Sequence, residues 1–225
     1  MPIQRLPLWI HVAAFMLAMN AGMINVLGLF SLLHQSVSHM TGNVSLLADA
    51  LVHLQYQQVL FLFLIVLSFV LGSSYSGFIL GNSHFQLSQR YGLPLSLMTL
   101  FIVLCWYFVA DYPRYALLWA SAAMGIQNAM VSHYKGAILR TTHLSGVLTD
   151  LGLAIGYKLR GLHVDPKRVL LHLMIFSGFL CGGVVASIVY PYLKFQAFLI
   201  PAGLSLMLCV IYWIAYFDLF PFSKK

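Results

Sequence analysis

The chain contains no glutamate, and its five acids are all aspartate. Charged residues make up 8% of its 225 residues, against about 25% in a typical soluble domain. A water-facing surface cannot be assembled from so few charges, which excludes an ordinary soluble fold. Cysteine is scarce too: Cys105, Cys181 and Cys209 each lie in an apolar run, with no C-x-x-C or Cys/His spacing. That excludes a disulfide framework and a zinc site, and the three read as small core residues. No P-loop, dinucleotide fingerprint or haem ligand pair is present, so no cofactor is expected and ATP-driven transport by this chain alone is not supported.

What the chain has in quantity is apolar surface, at 61% hydrophobic residues. Its 12 Lys and Arg outnumber the acids to give +7, but a nucleic-acid footprint needs cations gathered on one face with polar flanks. Here they sit between apolar runs, so no nucleic-acid partner is expected and the partner implied is the lipid bilayer. Six long stretches are free of Asp, Lys and Arg: 8–33, 57–80, 93–110, 115–133, 169–190 and 195–217. As helices of roughly 18 to 26 residues they would measure about 27 to 39 Å, matching a hydrocarbon core of about 30 Å with some tilt. The first is too long for a signal peptide and no small-residue cleavage site follows it, so it is expected to be retained. Trp9, Trp106, Trp119 and Trp213 lie close to span ends and read as interface anchors.

Two shorter apolar segments, 43–54 and 143–157, each contain one acid, Asp49 and Asp150. At about 18 and 22 Å they are too short to cross comfortably. If they do not cross, ten cations (Arg5, Arg90, Lys135, Arg140, Lys158, Arg160, Lys167, Arg168, Lys224, Lys225) share one side against Arg114 and Lys194. The positive-inside rule then puts both termini in the cytoplasm. If they do cross, the split weakens to eight against four; seven spans is the competing count.

The sequence also repeats itself at a spacing of 104 residues: SHMTGNVSLL (38–47) lies over THLSGVLTDL (142–151). Three positions are identical, among them His39/His143 and Gly42/Gly146, and five exchange like for like. Upstream, Gly22 to Asn25 lies over Gly125 to Asn128 with one residue of slippage; downstream, Gly72 and Gly77 lie over Gly178 and Gly183, pairs that would let spans approach closely. Each half thus reads as a long span, a Thr/Ser-Gly turn, a short helix and two more spans. Three crossings per half would invert the second half relative to the first, as in many secondary transporters. The fold expected is an all-α polytopic membrane protein, a single membrane domain over 1–225. It would have six transmembrane helices plus two short half-helices in an inverted 3+3 repeat, with repeat one at 8–110 and repeat two at 115–217.

The stretches NAGMINVLGLF, HMTGNVSLLADAL and AMGIQNAMVSHYKGAILRTTHLSGVLTDLGLAIG resemble the two hallmark segments of the YoaK-like family of bacterial inner-membrane proteins. The resemblance covers most of the chain. Thr41-Gly42-Asn43 matches the first motif, and Arg140, Thr141, Thr142, Gly146, Thr149, Asp150 and Gly152 match the second, with Ser145 where the family usually has Thr. Asp49 matches no family acid. The resemblance implies a multi-pass inner-membrane protein and supplies no substrate.

Chemistry therefore has to come from the polar residues. Thr41, Gly42 and Asn43, and Thr141, Thr142, His143, Ser145 and Gly146, could offer hydroxyls and free N–H groups to a solute at the start of a half-helix; the plainer account is N-capping. His39 and His143 could carry protons near neutral pH, although six further histidines near membrane boundaries show how freely the chain uses this residue. Asn25, Gln127 and Asn128 could line a site or join helices. Asp150, costly at membrane depth, is the candidate for proton coupling, its plainer account being an interfacial pair with Arg140. These features favour a small secondary transporter or permease for a small polar or anionic solute, not an enzyme, and a homo-oligomer is possible. The alternatives are a non-transporting membrane partner or assembly protein, whose turns would be tied off with no cavity between them, and an intramembrane hydrolase built on Ser145. The last lacks a G-x-S-x-G pattern, and residues two apart on a helix, such as His143 and Ser145, do not face each other.

Overall fold

The computed structural model describes residues 8–30, 36–81, 89–132 and 141–219, and every element among them is helical. In chain order they are α1 (Leu8–Phe30), α2 (Met40–Val52), α3 (Tyr56–Leu80), α4 (Gln89–Phe108), α5 (Pro113–Ser132), α6 (Leu144–Leu159), α7 (Pro166–Leu193) and α8 (Leu199–Leu219). A 3-10 segment, Lys194–Phe198, joins the last two. The two short apolar segments are the short helices α2 and α6, of 13 and 16 residues.

Four stretches are long and apolar enough to cross a membrane: Trp9–Phe30, Tyr56–Leu80, Arg90–Phe108 and Pro166–Phe217. The expected span at 115–133 is not among them. Its helix, α5, is the least apolar of the long helices because protein, not lipid, surrounds it: Ala116, Leu117, Ala120, Ser121, Ala123 and Gln127 are all buried. A helix enclosed by other helices can carry Ser, Gly and Gln that a lipid-facing one could not.

Packing follows two close crossings. Helix α1 lies along α7 and α3 along α5; α4 rests on α5 and α8, and α1 meets α5 between the two pairs. Glycine makes the crossings close. A Cβ on Gly22 would stand 2.1 Å from the Phe179 carbonyl oxygen, and one on Gly182 2.0 Å from that of Met19. At α3–α5 the same reciprocal pattern holds: Gly72 against Ala122 and Gly125 against Phe69, both at 2.1 Å. Gly178 adds a contact to Phe15 at 2.5 Å. This corrects the expected role of Gly77 and Gly183 in close approach: Gly77 faces open space and Gly183 meets only a Val26 side chain, so the close contacts fall on Gly72, Gly178 and Gly182. Across α3–α5 the hydroxyls of Ser73, Ser76 and Ser121 also donate to the carbonyls of Gly125, Ile126 and Ile65.

Helix ends match as well. Helix α2 stops where Leu54 takes a positive φ of 53°, with Gln55 N–H donating to Ala50 and Leu54 N–H to Leu51; α6 stops at Gly161, φ 72°, with Leu162 donating to Tyr157 and Gly161 to Lys158. Both are Schellman turns. Helices α3 and α7 end at Gly81 and Lys194, with φ of 53° and 49°. Asp165 caps α7, accepting from Lys167 N–H at 3.0 Å, with Pro166 in the first turn where its missing donor costs nothing.

Of the cysteines, Cys105 and Cys209 are buried as expected, but Cys181 is exposed on the outer face of α7. Trp106 and Trp213 are more than anchors: their indole N–H groups donate to Gln196 and Ser96, joining α4 to the 3-10 segment and to α8.

Candidate polar turns and the Asp150 cluster

Each short helix is preceded by a turn that hangs from a buried amide on a long helix. In the first, Asn25 of α1 accepts from Ser38 N–H at 3.0 Å and from the Ser36 hydroxyl at 2.8 Å, while its Nδ2 donates to Ser38 Oγ. Asn43 closes the loop by donating to Ser36 O at 2.8 Å. In the second, the Thr142 hydroxyl donates to Asn128 Oδ1, and Gln127 Nε2 donates to Thr141 Oγ1 at 2.9 Å. Asn25 with Ser38 thus stands where Asn128 stands with Thr142. Ile24 and Val37, which precede Asn25 and Ser38 as Gln127 and Thr141 precede Asn128 and Thr142, are both buried.

The hydroxyls expected to act as caps do not. The capping positions are His39 and His143, with nearly equal backbone angles and no side-chain cap bond. Thr41 and Ser145 are exposed, and their carbonyls accept from the hydroxyls of Ser45 and Thr149 one turn on, at 2.9 and 2.8 Å. His39 is exposed and lies over Gly42, where a Cβ would meet its ring at 2.5 Å; Gly146 is half-buried. Ser145 Oγ and His143 Nε2 do approach, to 3.4 Å. The helical argument that residues two apart diverge fails here because His143 lies outside the helix proper. The separation exceeds the 2.6–3.2 Å reach of a nucleophile and its base.

The short helices that follow the two turns pack apart: α2 lies on α3, α6 on α7, and α2 does not touch α6 among the described residues. The link between them runs through α1 and α5, where Gln127 Nε2 also donates to Leu17 O at 3.0 Å. A groove of about 410 Å³ lies elsewhere, between α3, α4 and α5, lined by apolar and aromatic side chains such as Leu71, Phe101 and Trp119.

Asp150 does not take the partner expected of it, since Arg140 lies outside the described residues. Its carboxylate is 3.3 Å from Arg168 and 3.5 Å from Nε2 of His172, both on α7. His172 is only 3% exposed while Arg168 is open to solvent, so the acid bridges an outer cation and an inner imidazole. Among the described residues Asp49 pairs with His53 alone, one turn away at 3.3 Å, and both are well exposed.

Two residues escaped the sequence reading. His172 looked like one more boundary histidine; only the antiparallel packing of α6 on α7 brings it to Asp150. Asn20, in the middle of α1, is fully buried, and among the described residues neither of its amide atoms nor the buried Oε1 of Gln127 has a partner. A lone amide at the centre of an apolar run was the available signal.

A family model described as a protein of unknown function (DUF1275) matches residues 13–211, nearly the whole chain. No curated protein and no solved structure matches it.

Proposed function

The chain belongs to the DUF1275 family, and from that membership and the matched anchoring of its polar turns we propose a small secondary permease of the bacterial inner membrane. It carries a small polar or anionic solute and couples to protons through Asp150. The observation that carries this reading is the equivalence of the halves: Asn25–Ser38 answers Asn128–Thr142, the Leu54 turn answers the Gly161 turn, and Gly22/Gly182 answers Gly125/Gly72.

In this reading the first helix of each half packs on the third element of the other, an exchange that an inverted repeat produces naturally. Pro166–Phe217, at 52 residues, would be about 78 Å as one helix, more than twice a hydrocarbon core of about 30 Å. It therefore crosses twice, broken after Pro191 at the positive φ of Lys194. With α5 as an enclosed span the crossings number six, and the distribution of cations sets both termini in the cytoplasm. Asp150, held between exposed Arg168 and buried His172, lies between solvent and the interior, where it would relay a proton.

Reconstituted vesicles with an imposed proton gradient, screened against small anions and neutral solutes, test it. The wild type is expected to accumulate at least one solute with the gradient, and Asp150→Asn to bind it without gradient-driven uptake. Equal uptake by both would make Asp150 structural, and no uptake of any solute by the wild type would overturn the permease reading. One observation favours a second reading, a non-transporting membrane partner: the turns are tied off by Asn25, Gln127 and Asn128, and the groove lies away from them. That reading predicts the wild type without flux.

A further inference from the structure

The turns are not the deepest polar feature of the molecule. Asn20 has no exposed surface, and among the described residues neither its Nδ2 nor its Oδ1 has a partner. Leu17, one turn before it, accepts from Gln127 of α5, and residues three apart lie on the same face of a helix. Asn20 therefore sits on the face of α1 that α5 covers. The Gln127 amide has only one possible orientation: a carbonyl oxygen such as Leu17 O can accept but not donate, so the nitrogen must point to it. That leaves Gln127 Oε1 as the buried atom without a donor. Two unpartnered amide groups, one offering donors and an acceptor, the other an acceptor, thus lie at the α1–α5 crossing. Unmade bonds of this kind are expensive and are retained where a guest completes them.

Charge decides what kind of guest. The acids and bases of α1 and α5 are His11 and Arg114, about 14 Å along α1 from Asn20 and about 20 Å along α5 from Gln127 at 1.5 Å per residue. On α7, Gly182 meets α1 beside Asn20, at Met19, and His172 is about 15 Å away along the helix. Among the described residues of α1, α5 and α7 no charged group lies nearer, so an ion here would find no countercharge on them.

We infer that Asn20 and Gln127 form a central site for a small neutral molecule that both donates and accepts hydrogen bonds, water or an amide-sized solute. This deepens the permease reading and rests on it for passage, though not for binding.

Proteoliposomes of the full chain are tested by stopped-flow light scattering for osmotic water flux, for urea, and for formate as a charged control. Asn20→Leu and Gln127→Leu should each lower water or urea flux at least fivefold, and Asn20→Ser should restore part of it; the arm that falls identifies the guest. A second measurement is independent of transport: Asn20→Cys in a background lacking Cys105, Cys181 and Cys209 should react with a small methanethiosulfonate in the membrane. Labelling of the Asn20→Cys protein without any wild-type flux would keep the site and sink the permease. Folded Asn20→Leu with unchanged flux, or an Asn20→Cys protein that never reacts, would overturn the site while leaving the permease intact.

Discussion

Replacing Gly22 by alanine should cost the protein stability that the same change at Gly77 does not. The added Cβ would stand 2.1 Å from the Phe179 carbonyl oxygen, where a comfortable C···O contact needs about 3.3 Å, so α1 and α7 must separate by roughly 1 Å. The obstacle is backbone and cannot turn aside, which puts the overpacking cost near the upper end of about 1–3 kcal/mol. Alanine returns up to about 1 kcal/mol in helix propensity, leaving a net loss of about 2 kcal/mol. At about 2–4 °C per kcal/mol for a chain of this size, the apparent Tm should fall by about 4–8 °C. Gly125→Ala and Gly72→Ala should behave alike, since their contacts match, whereas Gly77→Ala, with nothing within 4 Å, should be neutral or slightly stabilising. Coupling sharpens the test: Gly22→Ala with Gly182→Ala should cost less than the sum, because one separation relieves both clashes, while Gly22→Ala with Gly125→Ala should add. Thermal unfolding in detergent reads all of these. A Gly22→Ala protein as stable as Gly77→Ala would refute the close crossing.

Leu54→Gly and Lys194→Gly should each stabilise by about 1 kcal/mol, because a left-handed conformation costs an L-residue about 1–2 kcal/mol and both hold one; a lower Tm in either would contradict the turn geometry. Asn25→Ala strips a buried turn of three bonds and should cost about 1–3 kcal/mol. Asn128→Ala, which loses the bond from Thr142, should cost less; limited proteolysis at each turn would show the difference, and equal resistance would contradict it.

Much of this fold can be read from the sequence because lipid imposes simple rules. Uninterrupted apolar runs located the long helices, and the spacing of 104 residues set His39 over His143 and, with one residue of slippage, Asn25 over Asn128. The close-contact glycines were misplaced because α6 and the link after it are six residues longer than α2 and its link, so Gly72 and Gly182, each the seventeenth residue of its helix, lie 110 residues apart. The low apolarity of α5 was visible, but its cause, enclosure by α3, α4 and α1, is tertiary. The same holds for Asp150, whose partners Arg168 and His172 lie 18 and 22 residues on and meet it only when α6 folds back on α7. Thr41 and Ser145 fit a capping pattern, yet the chain places His39 and His143 at the caps.

The account depends above all on the halves facing opposite sides of the membrane. Single cysteines at Ser36, beside the first turn, and at His163, between α6 and α7, introduced into a background lacking Cys105, Cys181 and Cys209 and probed in intact and inverted vesicles with an impermeant maleimide, test this directly. Ser36→Cys is expected to label only from the periplasmic side and His163→Cys only from the cytoplasmic side; labelling of both from one side would contradict the inverted arrangement and the permease built on it.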